Sequence, residues 1–270
     1  MTHNAARQTI AATLITCVGL LAATAAQAQA FDAARIYGAA PERDGGLVGL
    51  VAIAGHEYQG SKKSRAMLLP SLDYQWSNGF FAGTSNGIGI NFSKHPQMSY
   101  GLRLTADFGR DEDRSPALKG MGDIDFRPEL GGFFNYNVSK SLVLTSSLRY
   151  GSGNDRKGLQ VDLGAAYLMV LAPQWRLGLG GAMTVANADY LQSHFGVSKA
   201  QSASSGYSIY TPSAGVRDVR ANASLSYSIN KRTGITAALS ASALQGDAKN
   251  SPLTQQKNSL NGVMALTYLF

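Results

Sequence analysis

The sequence is poor in cysteine and in long apolar runs. Its one cysteine, Cys17, lies in an N-terminal segment that we expect to be removed, so the mature chain offers no thiol for catalysis, disulfides or metal binding. It has no run of 18 apolar residues, which excludes a helical membrane protein. Only 15% of the residues are charged and the basic ones are spread out, so we expect no nucleic-acid partner.

The first thirty residues have the pattern of a secretory signal peptide. Arg7 precedes the apolar stretch IAATLITCVGLLA, and small residues then offer cleavage sites at Ala28 or Ala30. The apolar stretch is shorter than the roughly 20 residues that a membrane-spanning helix needs. We therefore expect a cleaved signal peptide over 1–30, a periplasmic lead-in over 31–45 and the folded domain over 46–270.

Beyond this lead-in, apolar residues recur at every second position, which is the period of a β-strand. In the segment MSYGLRLTADF one face is apolar and the other polar, whereas a helix would mix the two sets. The apolar set is Met98, Tyr100, Leu102, Leu104, Ala106 and Phe108. Similar segments continue to the C-terminus, so we predict an all-β, antiparallel fold.

The predicted strands are separated by alternately short and long connections. SNG, NVSK, APQ and NKR are short turns, whereas the longest connection covers 187–215. This asymmetry is typical of a transmembrane up-and-down barrel of the outer membrane. We count eleven clear strands. Because such barrels have an even number of strands, we predict about 12, with 10 as the alternative, and FFAGTSNGIGINF could hold two short strands.

The aromatic residues favour a membrane barrel over a soluble β-sandwich. A sandwich also alternates, but it turns its polar face to water. Here the apolar face carries aromatic residues near the strand ends, as at a lipid boundary, and the opposite face carries Arg, Asp, Ser, Gly and Thr. We predict that the apolar face meets lipid and that the polar face encloses a lumen. The boundary aromatics are Trp76, Tyr136, Tyr150, Trp175, Tyr227, Tyr268 and Phe270.

The C-terminal segment NSLNGVMALTYLF keeps the apolar pattern up to its last residue. A closed sheet in lipid must pair the backbone groups of its last strand, so this end cannot fray. The ending also resembles the C-terminal signal that the barrel assembly machinery reads in outer-membrane proteins. We assign this signal to Leu266, Tyr268 and Phe270.

Arginines and acidic residues on the polar faces are nearly equal in number. This balance predicts that they pair across strands and close the lumen, rather than form a ring of one sign that selects ions. A pore for small solutes is the alternative at this strand number. The predicted lumen charges are Arg103, Arg127, Arg149, Arg176, Arg220, Asp107, Asp123, Asp125, Glu129, Asp162 and Asp218.

The histidines of the mature chain do not form a recognisable catalytic or metal-binding pattern. His56, His95 and His194 lack both the spacing of a nucleophile–base pair on one strand face and the His-x-x-x-His spacing of a metal site. We therefore predict a non-enzymatic protein without a cofactor or metal.

Four loop elements follow one another in a fixed order along the chain. They are HEYQGS, then GMGD, then a Tyr…Phe-Gly-Val…Ser-Gly…Tyr element, and finally GDAKNSP. Turn formation with an aromatic packed beneath also accounts for each element taken alone. Their residues are Tyr58, Gly60, Ser61, Gly120, Gly122, Asp123, Tyr190, Phe195, Gly196, Val197, Ser205, Gly206, Tyr210, Gly246, Asp247, Ser251 and Pro252.

In this order, and with the Tyr-x-Phe ending, the elements resemble the MipA/OmpV family, also called MltA-interacting proteins, from about residue 46 to residue 270. The resemblance implies a non-enzymatic outer-membrane barrel that brings a lytic transglycosylase together with a murein synthase, or that serves adhesion or osmotic adaptation. Outer-membrane lipid and lipopolysaccharide are further expected partners. Lys62, Lys63 and Arg65 could contact lipopolysaccharide phosphates, although an ordinary solvated loop would have the same composition.

Overall fold

The computed structural model describes residues 41–270, and twelve strands form most of it. The predicted signal peptide and most of the predicted lead-in lie outside the described residues. The strands are β1 Gly45–His56, β2 Ser64–Gln75, β3 Phe80–Gly83, β4 Gly87–Asn91, β5 Met98–Asp107, β6 Arg127–Asn137, β7 Leu142–Ser152, β8 Gly158–Ala172, β9 Trp175–Ala186, β10 Gly215–Ser228, β11 Thr233–Leu244 and β12 Asn258–Leu269.

The sheet closes on itself as an up-and-down barrel. Each strand pairs antiparallel with its neighbours in the sequence, and β1 also pairs with β12, so no edge is left unpaired. The prediction of twelve strands is confirmed. The ambiguous segment FFAGTSNGIGINF forms the short strands β3 and β4, whose register places Phe80 opposite Ile90. The alternative of ten strands is wrong.

The barrel turns its apolar face outward, as the alternating pattern predicts. Leu102, Leu130 and Leu163 are exposed on the outer wall, whereas Glu129 and Asp162 are buried on the opposite face. A soluble sandwich would instead bury its large aliphatic residues between two sheets. An apolar outer wall around a polar interior is the arrangement that hydrocarbon requires, so the fold is a transmembrane barrel.

The two ends of the barrel differ. Five tight turns at one end, called the turn end, cover 76–79, 92–97, 138–141, 173–174 and 229–232. The long connections lie at the other end, called the loop end, at 57–63, 108–126, 153–157, 187–214 and 245–257. Aromatic rings pair near the turn end: Trp76 lies 4.7 Å from Tyr74, and Trp175 lies 4.7 Å from Tyr227, measured between ring centroids. Such a girdle marks a lipid boundary.

The loop end contains the helices, none of which, within the described residues, is long and apolar enough to cross a bilayer. The 187–214 connection, predicted only as a long loop, forms two of them. They are α1 Ala188–Phe195, α2 Lys199–Ser205 and α3 Gly246–Asn250, with short 3-10 turns at Glu112–Arg114 and Pro116–Leu118.

The last strand is fixed along both edges. β12 pairs with β11 on one side and with β1 on the other. The pairing reaches the final residue, because Phe270 N donates to Gly46 O at 3.0 Å and Gly46 N donates to Phe270 O at 3.2 Å. Leu266, Tyr268 and Phe270 all lie exposed on the outer wall, where the sequence pattern places them.

Two aromatic side chains fill part of the lumen near the turn end. Phe81 and Phe133 are both buried, with ring centroids 6.0 Å apart. The glycines opposite make room for them, since a Cβ at Gly89 would overlap the Phe81 ring and one at Gly101 would crowd the Phe133 ring. Packed rings therefore occupy part of the lumen in this region.

The seam between the first and last strands yields a test of closure. Gly49 faces the lumen in β1, and a Cβ there would clash with the backbone oxygen of Leu266 in β12. We expect Gly49→Ala to destabilise the folded barrel by about 1–3 kcal/mol, as overpacking does, measured by denaturant unfolding in detergent micelles. Gly262→Ala at the same seam is the control, because its new Cβ would meet Leu239 at 3.6 Å. Equal unfolding midpoints for both variants would contradict this account.

Candidate functional site: a buried charge network beneath a loop cap

A network of ion pairs crosses the lumen below the loop end. Arg149 Nη2 lies 2.8 Å from Asp162 Oδ2, and Arg220 Nη2 lies 3.0 Å from Asp162 Oδ1. Arg220 Nη1 also lies 2.9 Å from Asp218 Oδ1. These four side chains come from β7, β8 and β10 and are all buried. One aspartate therefore joins two arginines across the barrel.

Neutral side chains and a glutamate complete the network. Glu129 is fully buried, with Oε2 at 3.6 Å from Arg149 Nη1, and Gln160 Nε2 donates to Glu129 Oε1 at 3.3 Å. Thr184 donates to Asp162 at 2.6 Å and accepts a hydrogen bond from Arg220 at 2.9 Å. Buried charges are stable when they are paired and hydrogen-bonded, and these contacts pair each charge of the network with an opposite one.

Arg217 is a lumen cation that the alternating pattern does not predict. The register between β9 and β10 shifts between Val216 and Asp218, which is a local irregularity of the bulge type. Arg217 thereby turns inward beside Asp218 and is only 1% exposed. Its Nη1 donates to Gln160 Oε1 and, at 2.9 Å, to Tyr190 Oη. The sequence does contain a signal of this irregularity. Arg217 and Asp218 are adjacent charges near the start of a strand, and strict alternation would place one of them in lipid.

Not every predicted lumen charge joins this network. Arg103 does face the lumen and donates to Ser147 Oγ at 2.6 Å. The other predicted charges lie elsewhere because the strands are shorter than the pattern suggested. Asp123 and Asp125 are exposed residues of the 108–126 loop. Arg127 at the first position of β6 pairs with Asp125 at 2.7 Å, and Arg176 is exposed at the turn end of β9.

The network continues upward into the loops through Asp107. This carboxylate, at the end of β5, accepts hydrogen bonds from Gly109 N at 2.9 Å and Gly153 N at 3.2 Å. Its Oδ2 also lies 3.4 Å from His194 Nε2 in α1. A single lumen residue therefore connects three separate loops.

The loops form a cap over the loop end, here called the loop cap and made of 57–63, 108–126, 187–214 and 245–257. Helix α1 begins at its N-cap Asn187, whose side chain accepts from Tyr190 N. Its inner side packs Tyr190, Leu191 and Phe195 against Ala248 of α3. A second cluster packs other loops of the cap together, and it comprises Met121, Val197 and Leu253 with Tyr207 and Tyr210 against them. The loop cap is thus a small packed core of its own.

The first motif fastens the 57–63 loop to the 245–257 loop. Tyr58 is buried, and its hydroxyl donates to Leu253 O at 3.0 Å. Gly60 O accepts from the backbone nitrogens of Gln255 at 2.8 Å and Gln256 at 2.9 Å. Ser61 is fully buried beside them. These contacts join the loops on either side of the β1–β12 seam.

The second motif supports a tight loop under α2. Gly120 has a positive φ of 81°, and a Cβ there would clash with the backbone of Ser204 in α2. Ser204 Oγ in turn donates to Gly120 O at 2.6 Å. Asp123 Oδ1 accepts from Glu112 N at 2.7 Å, so this residue orders the loop instead of facing the lumen.

The third and fourth motifs bind each other. Ser251 Oγ donates to Phe195 O at 2.6 Å, and Tyr210 Oη donates to Asp247 O at 2.9 Å. Val197 and Tyr210 form an isolated antiparallel bridge. The remaining motif residues lie at turns and helix ends of the same cap: Gly122, Gly196, Ser205, Gly206, Gly246 and Pro252. The motifs, far apart in the sequence, therefore converge on one structure.

Burial in the cap changes the acidity of two tyrosines. Desolvation raises the pKa of Tyr190 to about 12, and it outweighs the opposite effect of the nearby Arg217 guanidinium. Desolvation likewise raises the pKa of Tyr58 to about 12. Both phenols therefore stay neutral and act as hydrogen-bonding groups of the cap.

His194, the histidine of α1, is not placed as the general base of a hydroxyl nucleophile. His194 Nδ1 lies 3.1 Å from Tyr190 O and its Nε2 faces Asp107, so neither ring nitrogen is directed at a hydroxyl nucleophile. His95 lies exposed in a tight turn at the opposite end. Within residues 41–270 there is no group of three or more side chains that could hold a metal ion.

The closed sheet, the apolar outer wall and the polar interior define an outer-membrane β-barrel. Among families, the one described as "MltA-interacting protein MipA" matches residues 48–270. The chain therefore belongs to this family, and the resemblance predicted from the loop motifs is confirmed. A search of curated proteins found no match.

Several solved structures are similar to this chain. The COG4313 outer membrane channel from Pseudomonas putida F1 has a TM-score of 0.46 and 12% identity, covering 87% of this chain and 98% of that one. The KdgM porin has a TM-score of 0.42 and 11% identity, covering 83% and 98%. The P. putida toluene transporter TodX has a TM-score of 0.37 and 11% identity, covering 85% and 89%.

The buried network predicts a large effect of removing Arg217. Arg217→Met leaves Asp218 and Gln160 without this partner inside the lumen, so we expect a loss of about 3–5 kcal/mol in the free energy of unfolding. The measurement is denaturant unfolding in micelles. Arg176→Met makes the same change of charge at an exposed position and should stay within about 0.5 kcal/mol of the unmodified protein. Similar losses in the two variants would argue against a structural role for the network.

The raised pKa of Tyr190 predicts a specific loss of stability in alkali. Below pH 10 the phenol is neutral both in the folded and in the unfolded protein, so its contribution is fully present. Between pH 10 and the folded pKa of about 12, only the unfolded protein ionises, and the stability falls by about 1 kcal/mol at pH 11. Tyr190→Phe should lack this part of the decline when both proteins are unfolded at pH 8 and pH 11. Parallel declines would show that Tyr190 does not titrate in this way.

Proposed function

We propose that this protein is a closed, non-enzymatic scaffold of the outer membrane that brings a murein hydrolase and a murein synthase together. The observation that carries the proposal is the paired charge network of the lumen. The cations Arg149, Arg217 and Arg220 pair with Glu129, Asp162 and Asp218 instead of forming a ring of one sign that would select ions. We infer that this barrel acts through its surfaces rather than as a channel.

The loop cap supports the same proposal. Its motif residues fasten the loops to one another, so they hold the loop cap together as one packed unit. Rigid elements hold a binding surface in place more accurately than mobile loops do. The family's motifs then stabilise the folded barrel and its loop cap. A partner would bind the surfaces that the folded barrel presents.

Export and orientation follow from the sequence and from the general anatomy of such barrels. The signal peptide over 1–30 directs the chain out of the cytoplasm, and the C-terminal Phe270 directs its assembly. Outer-membrane barrels place their short turns in the periplasm. The turn end would therefore face the murein layer, and the murein enzymes would dock there, whereas the loop cap would meet lipopolysaccharide.

Two measurements test this proposal. In planar bilayers the purified barrel should produce no stepwise ion conductance, because the lumen charges are paired and the rings of Phe81 and Phe133 obstruct the turn end. From crosslinked envelopes, the tagged barrel should co-purify a lytic transglycosylase and a murein synthase, and an unrelated outer-membrane barrel purified in parallel should not. Conductance steps would favour the alternative of a small-solute pore. Absence of both enzymes would reject the scaffold role.

A further inference from the structure

The turn end carries more exposed cations than exposed acids. The five tight turns contain Lys94, Lys140, Lys231 and Arg232 but no aspartate or glutamate. Arg176, the second residue of β9, adds a fifth cation at the same end. All five are exposed. We call these five residues the basic rim.

The loop end has no such imbalance. Its long connections contain ten basic and nine acidic residues. The basic ones are Lys62, Lys63, Arg110, Arg114, Lys119, Arg156, Lys157, Lys199, Lys249 and Lys257, and the acidic ones are Glu57, Asp111, Glu112, Asp113, Asp123, Asp125, Asp155, Asp189 and Asp247. The charge asymmetry between the two ends therefore comes from the turn end, and it is not a general property of a basic chain.

The rim cations are not neutralised by carboxylates of the described chain. Within residues 41–270, no salt bridge joins any of them to an acidic side chain. Glu42 and Asp44 are exposed just before β1, at the same end, and Asp44 Oδ1 accepts from Ser77 N at 2.8 Å and Ser77 Oγ at 2.7 Å. With Arg43, which lies between them, the exposed cations at this end still outnumber these two acids. A surface of this kind attracts anions from solution.

The spacing of the cations indicates an extended ligand. They are distributed around the barrel over three tight turns and the start of β9, and they do not converge on one point, as a site for a single small anion would require. Arg176 directly follows Trp175, whose ring pairs with Tyr227 at the lipid boundary, so the rim lies beside this boundary. The wide spacing of the cations fits a polyanion on the water side of the boundary.

We propose that the basic rim binds murein through the carboxylates of its peptide stems. The proposal rests on the proposed function, because that function places the turn end in the periplasm. Murein is a net of repeated carboxylate groups there, and several weak contacts on one net add up to strong attachment. Exposed lysines can follow such a ligand, since each carries a mobile point charge. The barrel would then hold the murein enzymes at their substrate.

The experiment is co-sedimentation of the folded, full-length mature protein with purified murein sacculi in a neutral detergent. The rim variant carries Lys94→Gln, Lys140→Gln, Arg176→Gln, Lys231→Gln and Arg232→Gln. The matched control makes the same change of net charge at the loop end with Lys62→Gln, Lys63→Gln, Lys199→Gln, Lys249→Gln and Lys257→Gln. We expect the rim variant to lose at least tenfold in affinity and the control to stay within twofold.

A second arm changes the ligand instead of the protein. Sacculi whose stem carboxylates have been converted to amides should bind the unmodified barrel at least tenfold more weakly, whether or not the rim variant folds. Equal binding to native and amidated sacculi, or equal losses in the rim variant and its control, would overturn the proposal. So would a rim variant that keeps its affinity for sacculi and loses it for phosphatidylglycerol vesicles.

Failure of the rim proposal and failure of the scaffold proposal can be told apart. Binding of sacculi is measured with purified protein and murein alone, without any enzyme. Sacculus binding without capture of the murein enzymes would support the rim and reject the scaffold. Enzyme capture without sacculus binding would do the opposite.

Discussion

The whole molecule depends on the pairing of charges inside a closed sheet. A barrel wall in lipid forces its ionic side chains into the lumen, and there each charge is stable only beside its opposite. Asp162 meets Arg149 and Arg220, and Asp218 meets Arg217 and Arg220. The network holds β7, β8 and β10 together, and Arg217 extends it to Tyr190 in the cap. Barrel and cap are therefore parts of one polar structure.

The strand pattern could be predicted from the sequence because lipid and lumen impose a strict two-residue period. The outward positions of Leu102 and Leu130 follow directly from it. The count of twelve needed the parity rule as well, since β3 and β4 are too short to show a period of their own. The helices of the 187–214 connection were missed, because a strand-based interpretation gives no reason to look for helical periodicity in a loop.

The lumen network was predictable as a set of charges but not as a set of contacts. Alternation correctly turns Arg149, Asp162 and Arg220 inward, yet it cannot reveal the irregular register that brings Arg217 beside them. The other predicted lumen charges lie elsewhere because of where the strands begin and end. Asp125, for example, precedes the first residue of β6, and its side chain reaches water. Motif order identified the family, but only the folded chain shows that the motifs contact one another.

The hydrogen bonds that hold the loop cap together leave the side chains on its surface free to vary. Tyr58, Tyr207 and Tyr210 each donate a phenolic hydrogen bond to a main-chain carbonyl, of Leu253, Ala117 and Asp247 respectively. Every amino acid supplies such a carbonyl. The receiving segments can therefore exchange exposed side chains without losing their attachment, so long as the three donors persist.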